Sequence, residues 1–292
     1  MNSSTDPTGA DTPRARILER HRDLSSKQSQ VARFLLDREE EVAFGSVRDV
    51  AARAGVGPST VVRFCRSLGY DGFAEYQQEV RRRLLSQDTF VQRLRKRLDR
   101  GSFEGSPIPE LMSIHTRNIE STLGSIDEND LQRSVGAILS ARTVRIFGSG
   151  LAAAVAVGLE HGLSVLGIQA RATTDGGIVH LREIAAICPD DLVVVISVRR
   201  YVRDMLDAAE EGKARGAGLI AITDSEIAPV SEWADVVFVA DTTGSMHSSS
   251  QIGLMSVVHL LSVSVAAARP DESLAALERL DALYRKSGVF LE

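Results

Sequence analysis

Cysteine is nearly absent: Cys65 and Cys188 are the only two, with no CxxC and no Cys/His cluster. That excludes a disulfide framework and offers no metal-ligand spacing. The six histidines are scattered without an HxxxH pair, so no metal site and no metal cofactor are expected. Long hydrophobic runs are missing too, since no apolar stretch approaches the roughly 20 residues that cross a bilayer. The first thirteen residues, MNSSTDPTGADTP, lack the apolar segment of a signal peptide and carry two aspartates. They read as a disordered tail, and a cytoplasmic chain without membrane contact is expected.

What is present is an ordinary globular composition, 43% hydrophobic and 25% charged over 292 residues. That length suits one large domain or two ordinary ones. The net charge of −5 is unevenly spread. Residues 1–100 carry 19 Lys+Arg against 14 Asp+Glu, a net of +5, and residues 101–292 carry 15 against 25, a net of −10. A basic head on an acidic body fits a part that binds DNA joined to a part that DNA repels. Helical surfaces that simply differ in charge give the same numbers.

The hydrophobic pattern changes period along the chain. From Leu24 to about Leu98 it is helical, with Val31, Phe34 and Leu35 on one face of a segment over Ser25–Asp37. Ser46 caps a short helix that stops at Gly55, and Pro58 opens a second over Ser59–Leu68, ended by Gly69. A third runs from Phe73 to about Ser86. GSFEGSPIP, residues 101–109, is a linker by composition. Beyond it, apolar strands at 143–148, 168–173, 191–197, 218–223 and 235–240 alternate with helices at Leu151–Leu166, Gly176–Ile187 and Tyr201–Arg215. Non-alternating strands separated by helices imply a five-stranded parallel sheet covered on both faces. Helices at about 108–124, 128–140, 247–268 and 271–286 complete that domain. The expected division is therefore a tail (1–13), an all-α domain (14–100), the linker (101–109) and an α/β domain (110–292).

The stretch SVRDVAARAGVGPSTVVRFCRSLGY has the layout of a helix-turn-helix. Val50, Ala51, Val56, Val61, Cys65 and Leu68 can form one apolar seam, and the small Ala51 and Ala54 let the two helices cross closely. Ser59, Thr60, Arg63 and Arg66 then share the opposite face of the second helix. Hydroxyls near a helix N-terminus bind phosphate or base edges, and arginine bonds guanine in the major groove. Ser46 and Pro58, at the two helix starts, complete the DNA-binding set. An ordinary helical hairpin with a solvated arginine face is the plain alternative. Cys65, one turn after Val61, is read as core rather than as a redox switch.

These residues carry a resemblance. VRDVAARAGVGPSTVVRFCRSLGYDGFAEYQ resembles the N-terminal domain of the RpiR-type (MurR/RpiR) transcriptional regulators. One departure is Gly57, where the family usually has a serine cap; glycine there forfeits a side-chain acceptor, worth a few tenths of a kcal/mol. The resemblance implies a C-terminal SIS (sugar isomerase) domain, a flavodoxin-like sheet that binds phosphosugars, and assembly into a homodimer or homotetramer through it.

In such a sheet, ligands sit beyond the carboxyl ends of the strands where the winding direction reverses, between the first and third strands. The loops there are Gly148-Ser149-Gly150-Leu151 and Ser197-Val198-Arg199-Arg200-Tyr201. Both open a helix and so favour an anion. The family's first loop is commonly GxGxS, and Ala152 stands at its serine. Its second is commonly Ser-x-Ser-Gly-x-Thr-x-Glu, of which only Ser197 and the acidic last position, Asp204, survive. With the hydroxyls replaced by cations, the expected effector is a small anion, a phosphosugar, sugar acid or carboxylate, gripped by Arg199 or Arg200 through the planar guanidinium. The alternative is that these arginines pair with Asp204, Asp175 or a second subunit and close the site. Ser248, with Ser245, His247 and Ser249, forms either another wall or a helix cap.

A regulator, not an enzyme, is the expectation. A phosphosugar isomerase needs a base beside the substrate carbonyl, and neither loop offers an evident one. GSGLAA is too short a pattern to indicate a dinucleotide, and IQARATTD has no acidic tip to hold a ribose, so no cofactor is expected. The remaining rival is a DNA-binding protein whose SIS domain only dimerises. The favoured mechanism puts two reading helices in successive major grooves of double-stranded operator DNA, about 34 Å apart.

Overall fold

The computed structural model describes residues 12–20, 24–87, 91, 94–95, 106–245 and 248–290. The chain separates into two compact units between Arg93 and Leu94.

The N-terminal unit is helical: α1 (Pro13–Glu19), α2 (Ser26–Asp37), α3 (Glu39–Phe44), α4 (Val47–Arg53), α5 (Pro58–Ser67) and α6 (Phe73–Gln87). Thr12 Oγ1 accepts from Ala15 N at 3.0 Å and Pro13 is the first helical residue, so the expected tail gives way to α1 there. Residues 1–11 of that tail lie outside the described residues. Ile17, Val31, Leu35, Val42, Val50, Val61, Phe64 and Tyr76 make the core. Phe34, expected beside Val31 and Leu35, is only half-buried at the edge. Two side chains of α6 tie off the segment before α4. Gln77 Nε2 donates to the carbonyls of Val42 (2.9 Å) and Gly45 (2.7 Å), and Arg81 donates to that of Ala43. These bonds satisfy carbonyls that the end of a helix leaves without partners.

The C-terminal unit runs α7 (Ile108–Gly124), α8 (Glu128–Ser140), β1 (Val144–Gly148), α9 (Leu151–Ser164), β2 (Ala170–Thr173), α10 (Gly177–Ala185), β3 (Leu192–Ser197), α11 (Arg203–Ala214), β4 (Gly218–Thr223), β5 (Val236–Val239), α12 (Ile252–Ala268) and α13 (Pro270–Ser287). Helix α7 starts at Ile108, so the last two residues of the expected linker are helical; residues 101–105 lie outside the described ones. Helix α12 starts at Ile252, not 247; just before it, Ser250 N donates to Thr242 O at 3.0 Å.

All five strands are parallel in the order β2-β1-β3-β4-β5, the flavodoxin-like winding. Every residue of β3 is buried, as expected for a strand covered on both faces. Ile146, Val194, Ile196 and Ile222 pack with α9 and α12 through Leu159, Leu163, Val258 and Leu261. Phe147, Val193, Val195 and Leu219 face Ile184 of α10 and Met205, Ala208 and Ala209 of α11. At the amino ends of the strands, the buried Asp191 accepts from Arg145 Nε (2.7 Å), Arg142 Nε (3.1 Å) and its neighbour Cys188 N (3.1 Å). Glu183 joins through Arg145 (3.4 Å) and Arg171 (3.1 Å).

No single described helix is long and apolar enough to cross a membrane. The pair α12 and α13 passes such a test together, but the two meet at 107° and the inner side of α12 is core.

Candidate nucleic-acid interface and effector site

Ser46 builds α4 from its first residue. Its backbone N–H donates to Asp49 Oδ2 at 3.1 Å and its Oγ accepts from Asp49 N at 3.3 Å, a reciprocal cap. Hydrogen bonds from the Ser46 side chain and then its backbone hold the Asp49 carboxyl below its ordinary range. The Ser46 hydroxyl is thus engaged within the protein, although the residue is exposed. Gly55 takes the left-handed conformation (φ 69°) that turns the chain after α4, a backbone state that side chains disfavour.

Helix α5 is two-faced. Val61, Phe64 and Cys65 are completely buried, while Pro58, Ser59, Arg63 and Arg66 are exposed and Thr60 is half-buried. The seam expected from the sequence is present, with Val50, Ala51 and Leu68 buried and Val56 packed at its margin. Phe64 belongs to it as well; the 3.6-residue period places it one turn before Leu68. Arg63 Nε donates to the Ser59 carbonyl (3.3 Å), and Arg66 Nε to that of Asp71 (2.9 Å), which steers Arg66 towards the helix's C-terminal end. Burial pushes the Cys65 thiol up to about 12, so it stays protonated and packs as core.

At the carboxyl ends of the sheet, Gly148 aligns with Ile196, placing the two expected loops side by side. Gly150 caps α9 at φ 58°, ψ −123°, which only glycine adopts without strain. Ala152, standing at the family's serine, is buried in the core. Ser197 is buried, and Arg199 and Arg200 are exposed. Arg200 has φ 72°, the one non-glycine residue with positive φ among the described residues. It stands where the second loop of the resembled pattern commonly has glycine, the residue that takes such a backbone angle without strain.

Asp224, just beyond β4, was not singled out in the sequence, yet it organises the second loop. Its carboxylate accepts from Arg199 N (3.0 Å) and the Tyr201 hydroxyl (2.9 Å), and its Oδ2 lies 4.0 Å from Arg199 Nε. An acidic residue directly after a strand that neighbours β3 was the available signal. Two further connections were missed. His180 on α10 is buried against Phe147 and has Nε2 2.8 Å from the Asp204 carbonyl, joining α10 to the start of α11. Asn118 and Thr122 of α7 hold the start of the loop between β5 and α12, through Thr243 O (2.8 Å) and Asp241 N (2.9 Å). Ser248, half-buried in that loop, donates to the Ser249 carbonyl at 3.2 Å; His247 lies outside the described residues.

Comparison with known proteins falls along the same two units. Residues 14–87 match the helix-turn-helix domain of the rpiR family, and residues 137–269 match the SIS domain. The HTH-type transcriptional regulator YfhH of Escherichia coli K12 is 30% identical over 209 residues, covering 71% of this chain and 74% of that protein. HexR of Pseudomonas aeruginosa, also an HTH-type transcriptional regulator, is 26% identical over 87% of this chain and 88% of its own length. Among solved structures, the sugar isomerase domain of an RpiR transcription factor from Sphaerobacter thermophilus is 37% identical with a TM-score of 0.59, covering 61% of this chain and 99% of that one. The NanR protein of Vibrio vulnificus, complexed with ManNAc-6P, shares the fold at a TM-score of 0.67 and 21% identity, over 94% of this chain and 98% of its own.

Proposed function

The chain belongs to the rpiR family of helix-turn-helix transcriptional regulators, and from that premise we propose that it binds a near-palindromic operator as a homo-oligomer under the control of a small anionic effector. The observation that carries the DNA-binding half is the two-faced α5, whose core side is anchored by Val61, Phe64 and Cys65. Arg63 reads a base edge, Ser59 and Thr60 meet phosphate or base at the helix start, and Arg66 contacts the backbone farther along. Pro58 fixes the entry of that helix. Ser46 contributes by holding α4 through its cap. Arg63→Ala is expected to weaken operator binding by about 1–3 kcal/mol and to relax the preference at one base position. Fluorescence anisotropy with the protein's own promoter DNA and single-base variants checks this. Unchanged affinity for every variant would place the reading face elsewhere.

The effector site consists of the Gly148-Ser149-Gly150 turn, Ser197, Arg199 and Arg200, with Ser248 on a neighbouring loop. The complex of NanR with ManNAc-6P supports a phosphosugar as the first class to test. The arginine-rich loop also suits sugar acids and dicarboxylates, which match a guanidinium fork. Effector and DNA are coupled by about 1–3 kcal/mol through subunit packing.

The pairing of Arg199 with Asp224 supports a second reading, in which the chain's own carboxylate fills the site and the SIS domain only assembles. A thermal-shift screen of sugar phosphates, sugar acids and dicarboxylates separates the two. A saturable rise in Tm that is lost in Arg199→Ala supports the sensor. No rise with any compound, while operator binding persists, leaves the assembly reading.

A further inference from the structure

Helix α13 is held to its domain by little. Of its 18 residues only Ser273 and Ala276 are buried. The face that carries them also carries Arg269, at the N-cap, and Arg279, the four being spaced by four, three and three residues. That face lies on the turn between α9 and β2, where Ala276 Cβ stands 3.2 Å from the point that a Cβ on Gly167 would occupy. The same point has Arg269 Nη2 at 3.8 Å and Arg279 Nη2 at 4.0 Å. Two guanidiniums therefore flank a glycine that takes φ 82° and puts no side chain between them.

The protein leaves this corner incompletely satisfied. Arg269 donates from Nη2 to the Leu166 carbonyl at 2.7 Å, just past the end of α9, but its Nε is buried without a partner. The hydroxyl of Ser273, a residue 4% exposed, is buried without one as well. Such orphaned groups are costly and few in a folded protein, and two of them share this face. Neither arginine has an ion pair among the described residues. The positions three and four places from Arg279 are Ala275, Ala276, Ala282 and Leu283, none of them a carboxylate. Residues 101–292 hold 25 acidic side chains against 15 basic ones, so two neighbouring cations without a counter-charge are an exception there.

We infer that Arg269 and Arg279 form a second anion site, for a phosphate group, at the end of the sheet opposite the effector loops. Two fixed positive charges match a dianion, and each guanidinium presents a planar fork that fits its oxygens. Charge-assisted bonds of about 2.8 Å on either side of one oxyanion span the separation that the shared distance from Gly167 allows. Glycine at 167 serves the site twice, by taking the turn's backbone angle and by keeping the space between the two nitrogens clear. Bound there, the anion ties Arg279, in the third turn of α13, to Arg269 and through it to the end of α9. It clasps a helix that otherwise rests on two buried residues. The inference stands apart from the regulator reading, since it uses neither the DNA-binding helix nor the effector loops.

Isothermal titration of the full chain with sodium phosphate, against sodium chloride of equal ionic strength, tests it. The parent protein carries Arg199→Ala and Arg200→Ala, so that the effector-loop arginines contribute nothing to the heat. The expected result is saturable binding whose dissociation constant rises at least about tenfold when Arg279→Gln is added. Arg279→Lys, which keeps the charge but not the fork, should recover part of the loss. Arg279 is exposed, so its replacement should leave the circular dichroism unchanged. Amide hydrogen exchange over residues 270–287 should slow with phosphate in the parent and not in Arg279→Gln. No saturable phosphate binding, binding indifferent to Arg279→Gln, or exchange of α13 unmoved at saturation overturns the inference. So does an equal response to acetate, which would mark a site for any small anion. Exchange that slows with protein concentration in the absence of phosphate overturns it too, and assigns the two arginines to a carboxylate of another chain.

Discussion

Arg200 holds a backbone shape made for a smaller residue. Its φ of 72° costs a side-chain-bearing residue about 1–2 kcal/mol, and the second loop of the resembled pattern commonly has glycine at this place. Arg200→Gly is therefore expected to raise stability by up to about 1 kcal/mol, after allowing for the greater freedom glycine gains when unfolded. Urea denaturation checks it, and unchanged or lower stability would mean that the arginine makes contacts outweighing the strain. The loop was legible in the sequence as the place where the pattern breaks, but its partner was not. Asp224 lies 25 positions from Arg199, and only the pairing of β3 with β4 brings them together. His180 and Asn118 escaped for the same reason: a single buried polar residue carries no periodic signal, and its partner is set by the tertiary fold.

Among the elements, the α4–α5 pair was the most legible because capping, turn and seam repeat at short range. Ser46, Gly55 and Pro58 punctuate the chain by local chemistry alone, and the 3.6-residue period sorts Val61 and Cys65 from Arg63 and Arg66. Phe64 fits the same spacing, three residues after Val61 and four before Leu68, and was equally legible. Helices α1 and α3, of 7 and 6 residues, are too short to show a period. The cap has a measurable weight. Ser46→Ala is expected to cost about 1 kcal/mol at neutral pH. Because Asp49 titrates below its ordinary range in the folded protein, its contribution is fully present above the unfolded value, about 4, and is lost as pH falls through the lowered one. The gap between wild type and variant should close on acidification; a gap that holds at the lowest pH at which the protein remains folded would show that the carboxylate has no part in it.

For the molecule as a whole, the five-stranded parallel sheet and the division of charge were readable from the strand–helix alternation and the residue counts, while the strand order came only with the family resemblance. The basic head predicts steep salt dependence of operator binding, and each phosphate contact removed should lower the slope of log K against log salt by about 1. Arg66→Ala should show that change with little effect on base preference; loss of preference without a change in slope would assign it a base instead. The arginine and carboxylate cluster around Asp191 gives the sheet one rigid end. The fastening lies at the end of the sheet away from the two loops, so a molecule gripped by Arg199 or Arg200 would meet the end that those ion pairs leave untied.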